Sequence, residues 1–317
     1  MSSVHQGRNI SSESDLKSVL AGIGALIGVL AGGIAGSAQA ADPMFDLIIG
    51  EQWSELDRVA HERLAADPLD GAAIHALSRM SIDSEVGSEN LRSQAMDKIQ
   101  ACLAARPDDG LCRLSYGQVF GVLIKSQTMF DAMGSVSKII EAFEAAVAAD
   151  PASYDARESL VTFYIRAPGI VGGSMKKGYK HTDDYAKINP DYARLLYALI
   201  AMEEGDLRKA EAQLAPLPEA AGDSVLAHMI AKRYLAIGLA YLDAKDYSHA
   251  RAALERSRAH GATSVAGYSH WGLGRIAQAE GRPEDAIDEF HAFLAFEEPT
   301  TKPAEEARAS LKQLGTN

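Results

Sequence analysis

From Met44 onward the apolar positions recur as helices do, and the helical pattern is cut at intervals by the same stop signal. Ala66-Asp67-Pro68, Ala105-Arg106-Pro107, Ala149-Asp150-Pro151 and Ile188-Asn189-Pro190 each end a helix. Proline disfavours α conformation in the residue before it and cannot donate the next helical hydrogen bond. The four prolines stand roughly forty residues apart, a spacing that marks a repeated helical unit. Twelve residues before each proline lie Leu56, Ala95, Ile139 and Gly178, and the series continues through Ala210, Ala250 and Ala286. The last three are followed one helical turn later by Leu214, Leu254 and Phe290. A small residue at one point of every second helix lets paired helices approach, and the apolar residue one turn on fills the gap. The pattern predicts an all-α, right-handed α-solenoid of about six to seven antiparallel helix pairs. The domain is expected over 41–317, with a stub of a leading helix in its first unit and an amphipathic capping helix over 303–314.

Details of the first helices sharpen this. Ile237-Gly238 with Tyr241, Leu273-Gly274 after Trp271, and Tyr116-Gly117 with Phe120 resemble the first helix of a tetratricopeptide repeat. The resemblance covers about 45–298 and departs from the repeat at Leu56, Ile139 and Gly178, where alanine is usual. Two further stretches, Cys102 to Cys112 and Asp155 to Ser174 with its Ala167-Pro168-Gly169-Ile170-Val171-Gly172-Gly173-Ser174 run, resemble a group of exported bacterial tetratricopeptide proteins. That resemblance implies fold and export, and no activity.

Composition fits a globular helical chain: 317 residues, 47% hydrophobic, 23% charged, 7% aromatic. The formal net charge of −12 lacks the basic footprint that phosphate contacts demand, which argues against nucleic acid as a partner. Residues 1–40 read as a signal peptide. Arg8 and Lys17 precede an uninterrupted apolar and small-residue run, Ser18 to Gly36, and Ala38-Gln39-Ala40 supplies the small-x-small pattern for cleavage after Ala40. A periplasmic or secreted protein is the expectation. The alternative is an uncleaved inner-membrane anchor over 18–36, the only membrane contact the sequence offers. Arg8 and Lys17 balance Glu13 and Asp15, so the remaining chain keeps its acidic excess.

Export changes the meaning of Cys102 and Cys112. They flank a turn, one at a helix end and one at the next helix start, positions within reach of a disulfide that an oxidising compartment favours. Buried free thiols are the alternative. Two thiols without further ligands make no zinc site, and His61 and His75 carry no ligand spacing.

Chemistry beyond that is thin. No HExxH spacing or nucleophile elbow occurs, and the carboxylates are scattered over polar helix faces, so no catalytic, cofactor-binding or metal residues are assigned and no enzyme is expected. The glycine turn at 167–173 lacks the spacing of a phosphate loop; a close packing turn, with Ser174 capping the next helix, accounts for it better. Lys176, Lys177, Lys180, His181 and Lys187 read as a solvated basic face.

Two binding surfaces remain. One is the concave groove lined by first helices, with Tyr192, Leu195, Leu199, Lys232, Leu235, Leu239, Tyr268, Trp271 and Arg275; the aromatics and Arg275 are the anchor types. The other is the inserted edge at 83–89, 126–134 and 167–173. Its Met129, Phe130 and Met133 form an apolar loop that either meets a partner or tucks under as a satellite core. The first surface implies a scaffold or adaptor for a peptide or protein in the cell envelope. The second implies a binder of a small ligand, glycan or lipid.

Overall fold

The computed structural model describes residues 43–83, 87–124, 129–217, 224–260, 263–296 and 301–315, without the side chains of 129–133, 224, 260 and 263. Fifteen α-helices and one 3-10 turn occur among them. They are α1 (Pro43–Ile49), α2 (Trp53–Ala66), α3 (Gly71–Ile82), α4 (Glu89–Ala105), α5 (Gly110–Leu123), α6 (Met129–Ala149), α7 (Tyr154–Arg166), α8 (Met175–Ala186), α9 (Pro190–Glu203), α10 (Leu207–Leu214), α11 (Ser224–Asp243), α12 (Tyr247–His260), α13 (Thr263–Ala279), α14 (Pro283–Leu294) and α15 (Lys302–Gln313). The 3-10 turn is Gly169–Val171. The helices fall into two compact units. Unit one takes Asp57–Pro151 and Ala156–Gly178; unit two takes Ala152–Asp155, Tyr179–Asn317 and the described part of Gly32–Leu56.

In unit one the proline connectors nest one upon the next. Asp70 caps α3 by accepting from Ala72 N and Ala73 N, while Arg63 donates to the same carboxylate at 2.8 Å. Asp109 caps α5 through Cys112 N, and its carboxylate lies where a Cβ on Gly71 would be only 2.8 Å away. Arg106, one repeat on from Asp67, donates to Leu69 O and to the Asp67 carboxylate at 3.0 Å. The caps satisfy helix N-termini that would otherwise be orphaned. The Cys102–Cys112 disulfide joins the end of α4 to the start of α5, with both cysteines fully buried. Leu114, Ile139, Phe143, Leu160, Phe163 and Tyr164 form the core of this unit.

Unit two repeats a different turn. At α1–α2, α9–α10, α11–α12 and α13–α14 a residue with positive φ closes the helix: Glu51 (54°), Gly205 (79°), Lys245 (60°) and Gly281 (71°). Each turn makes the same two hydrogen bonds, as Asp206 N to Ala201 O and Gly205 N to Met202 O, or Asp246 N to Tyr241 O and Lys245 N to Leu242 O. This is the Schellman closure, which favours glycine at the left-handed position. Lys245 holds that position with a Cβ that resists it. Lys245→Gly is therefore expected to raise stability by about 0.5–1 kcal/mol, the relief of strain less the entropy that glycine adds to the unfolded chain. Urea unfolding reads this, and an unchanged or lower midpoint would show the turn unstrained.

The periodic positions of the second helices all face inward. Leu56, Ala95, Ile139, Ala210, Ala250 and Ala286 are all buried, and so is Gly178. The residue one turn later seats against the glycine of the partner helix. A Cβ on Gly238 would stand 2.7 Å from Leu254, on Gly274 2.8 Å from Phe290, and on Gly117 2.4 Å from Phe143. Leu254 also presses on Gly272 of α13, so it links two hairpins. α15 covers the last pair with Ala304, Ala307 and Leu311 buried. α11 is long and apolar enough to cross a membrane by length and composition, and 67% of that stretch is buried inside the protein.

One expected loop is a helix. α6 begins at Met129, so Met129, Phe130 and Met133 stand on its first turns and not in an apolar loop. Their side chains, like residues 125–128 and 84–86, lie outside the described ones, as does the whole 1–40 segment. The glycine turn at 167–173 is closed by its own backbone bonds: Gly173 N to Pro168 O, Gly172 N to Gly169 O and Ser174 N to Tyr164 O. A Cβ on Gly173 would fall 1.7 Å from Ala167 O, and one on Gly172 2.8 Å from Ile140. Ser174 caps α8 through Lys177 N. The packing turn is what forms there.

Candidate interaction site

Three first helices of unit two carry the same i, i+3, i+7 row, which places each row on one helix face. The rows are Tyr192, Leu195 and Leu199 on α9, Lys232, Leu235 and Leu239 on α11, and Tyr268, Trp271 and Arg275 on α13. Their exposure differs. The α9 row is buried, with Tyr192 only 2% exposed. Its ring packs 5.2 Å from that of Tyr154, which lies 6.3 Å from Tyr185. Arg233 donates to the Tyr154 hydroxyl and to Leu195 O. Tyr192 is thus a core residue, which corrects its expected place on an open groove. An aromatic suits a packed face and a binding face equally, and the neighbouring tyrosines decide between them.

The rows on α11 and α13 are half-buried throughout. Tyr268 leans on Phe293 with ring centroids 5.7 Å apart. The Arg275 guanidinium lies 4.7 Å from the centre of the Trp271 indole, a cation–π contact. Beside this pair is a cavity of about 270 Å³ lined by Trp271, Arg275, Gln278 and Phe290 and, from α15, by Glu306 and Gln313. The buried Trp271 Nε1 has no acceptor among the described residues. Arg275 makes no ion pair with any described residue, and Glu306 has only a loose one, 3.9 Å from Lys302. The capping helix was expected; that it walls a cavity was not, because nothing in its sequence pattern sets which neighbour its polar edge faces.

Charged clusters elsewhere are internally satisfied. Lys180 and Lys187 both donate to Asp184, which their hydrogen bonds hold well below the usual carboxylate range. Lys177 lies over the Tyr164 ring. A second, polar cavity of about 160 Å³ is lined by Arg251, Arg282, Asp285, Asp288 and Glu289. Its arginines are tied up, Arg251 and Arg282 with Glu280 and Arg282 also with Asp285. Glu289 is shared by Arg258 and His270. Cys102, Asp109 and Cys112 cluster closely enough for a metal ion, but the disulfide leaves no thiolate to bind one. His75 bonds to Ser115 Oγ inside unit one, and His61 is held to its own helix by Asp57 O.

His228 is a group the sequence did not single out. It is 6% exposed on α11, and burial, reinforced by the positive charge of Lys232, pushes its pKa down to about 3. The unfolded histidine binds a proton near pH 6.5 and the folded one does not, so stability is full above that pH and falls as pH drops toward 3. The expected loss between pH 7 and pH 5 is about 2 kcal/mol from this group alone. His228→Leu should flatten that slope in urea titrations; an equal slope would place the acid sensitivity elsewhere.

No family model matches the chain, and no curated protein matches it either. Solved structures do. A chain of the APC/C hetero-tetramer Cut9–Hcn1 superposes with a TM-score of 0.51 at 14% identity, covering 86% of this chain and 48% of that one. This chain therefore spans about half the length of that relative. PilW, a type IV pilus biogenesis factor, gives a TM-score of 0.47 at 15% identity, over 75% of this chain and 98% of its own. A tetratricopeptide repeat protein from Parabacteroides merdae ATCC 43184 gives 0.47 at 14% identity, over 87% and 97%. At such identities the likeness to the first shows fold alone. Together with the helix pairing, it makes the protein a tetratricopeptide-like array of helical hairpins.

Proposed function

We propose that this protein is a protein-interaction scaffold of the cell envelope, taking a peptide segment of its partner on the half-exposed first-helix faces of α11 and α13. The observation that carries the reading is the paired rows, Lys232, Leu235 and Leu239 beside Tyr268, Trp271 and Arg275, which stay half-exposed where the α9 row is buried. Large aromatics and arginine concentrate binding energy when a partner covers them. Folds of this type are typical of such scaffolds. The apolar run and cleavage pattern before Ala41 support export, and the buried disulfide suits an oxidising compartment. Binding without catalysis is supported by the carboxylates whose pKa is lowered: Asp67, Asp184, Glu204 and Asp246 each serve a hydrogen bond or ion pair at the surface. The reading of 126–134 and 167–173 as a ligand edge gains nothing from a helix at 129 and a self-closed turn at 169–173.

The test is photo-crosslinking in intact cells, with the crosslinking side chain placed at Lys232 or Arg275 and, as control, at exposed Ile188. One recurrent envelope protein captured from the first two positions and not the third is the expected result. Equal background from all three would refute the scaffold reading.

A further inference from the structure

One end of the α11–α13 face is occupied by the chain itself. The row on α13 extends backward from Tyr268 to Ser264, and the row on α11 from Lys232 to His228 and Val225, at spacings that keep each on one helix face. Ser264 donates its backbone N–H, at 3.0 Å, and its hydroxyl to the Glu51 carboxylate, 213 residues away in sequence. α1, the helix just before Glu51, packs on α11 and has Met44, Phe45 and Ile48 buried. Val225 and His228 are buried, whereas the α11 row opens from Lys232 onward. We propose that α1 is a resident stand-in for the partner. The segment that displaces it is helical and repeats the pattern of Met44, Phe45, Ile48 and Glu51: two adjacent large apolar residues, a third one turn on, and a carboxylate seven residues after the first. This rests on the scaffold reading above and names the partner's chemistry and its competitor.

α1 is placed to leave without breaking the unit it sits on. The chain passes from unit two to unit one after Leu56, so only the first turn of α2 accompanies α1 there. α9–α10, α11–α12 and α13–α14 lie in unit two whole, and none has to open when α1 departs. Glu51 holds its own place under strain. It takes the left-handed position of its turn, φ 54°, where the α9–α10 and α13–α14 turns have glycine. Its carboxylate caps the first turn of α13 as an N-cap side chain would, which glycine cannot do. Length decides the competition. α1 has seven residues and is about 10 Å long, while the rows on α11 and α13 run about 21 and 16 Å. α1 therefore covers neither row from end to end. A longer partner helix adds contacts with Leu235, Leu239 and Trp271, and these offset the high effective concentration of a tethered competitor.

The test uses the mature protein and a labelled, N-acetylated peptide of its own residues 41–52. A double variant, Met44→Ser with Phe45→Ser, empties the seat and leaves α11 and α13 unaltered; circular dichroism checks that it is folded. The peptide should bind this variant saturably and at least about tenfold more tightly than it binds the wild type. A peptide carrying Glu51→Gln should bind about tenfold more weakly. Hydrogen exchange gives a second reading on the wild type. The hydrogen-bonded amides of Gly50, Glu51 and Gln52 should exchange at least about tenfold faster than the core amides of α11, through opening of α1 alone. Ser264→Ala should speed them further and leave α12 unchanged. Equal peptide binding to both proteins, no saturable binding to the folded variant, or undiminished binding of the Glu51→Gln peptide would each overturn the inference. So would amides at 50–52 as slow as those of α11, or unmoved by Ser264→Ala. A partner crosslinked at Lys232 alongside such a failure would leave the scaffold intact and remove only the resident segment. Peptide binding with no such partner would do the reverse.

Discussion

Phe290→Ala is expected to cost about 3–5 kcal/mol of the stability of unit two, the range for emptying a fully buried aromatic site. Phe290 is 1% exposed and belongs to a cluster with Phe293, Ala277, Ala307 and Leu311. Its ring fills the notch left by Gly274, where a Cβ would stand 2.8 Å from it. Surrounding helices cannot collapse into the void without breaking contact with α15. The converse change, Gly274→Ala, overfills the notch and is expected to cost about 1–3 kcal/mol. Combined with Phe290→Leu, Gly274→Ala should cost less than the separate losses added together, because the smaller side chain yields to the new methyl group. Urea unfolding followed by circular dichroism measures all of these. A loss under about 1 kcal/mol for Phe290→Ala would mean the ring is not seated on the glycine.

Replacing both Cys102 and Cys112 by serine is expected to cost about 3 kcal/mol, from the freedom returned to an unfolded loop closed across ten residues. The bond ties α4 to α5 at a point where Asp109 also caps the second helix, so cap and crosslink hold the same turn. Both sulfurs are shielded, each cysteine being 0% exposed. Reductant should therefore act on the wild type only as it unfolds, bringing its thermal transition down to that of the serine variant. Thiol labelling of the purified protein unfolded in denaturant without reductant provides the check. Two labelled cysteines, or a serine variant as stable as the wild type, would remove the disulfide from the account of stability.

Much of the fold was legible because its determinants are local. Pro68, Pro107, Pro151 and Pro190 mark connectors, and Asp70, Asp109 and Asn189 cap the helices that follow. The pairing of Ala250 with Leu254 and of Ala286 with Phe290 told which helix face would meet Gly238 and Gly274. Where the outcome depended on distant neighbours, the pattern was insufficient. Ser126 to Gly134 read as an inserted loop because the long repeats had extra residues to place between their two helices, whereas from Met129 those residues lengthen the second helix instead. Tyr192 and Tyr268 occupy equivalent helix positions, yet one is closed in by Tyr154 and the other stays half-exposed. Trp271 and Arg275 were recognisable as anchor types. Their missing acceptors, the Glu306 wall and the buried His228 all depend on what packs against them.

An array whose hairpins hold each other only through neighbours loosens from its ends. α15 is the last of the described helices and leans on the pair before it, and it also forms one wall of the Trp271 cavity. Hydrogen exchange should accordingly find the amides of α15 among the quickest in unit two, and occupancy of the cavity should slow them. Anything that fills this cavity and touches α15 would hold that helix to the pair before it, so occupancy and local stability would be linked in one equilibrium.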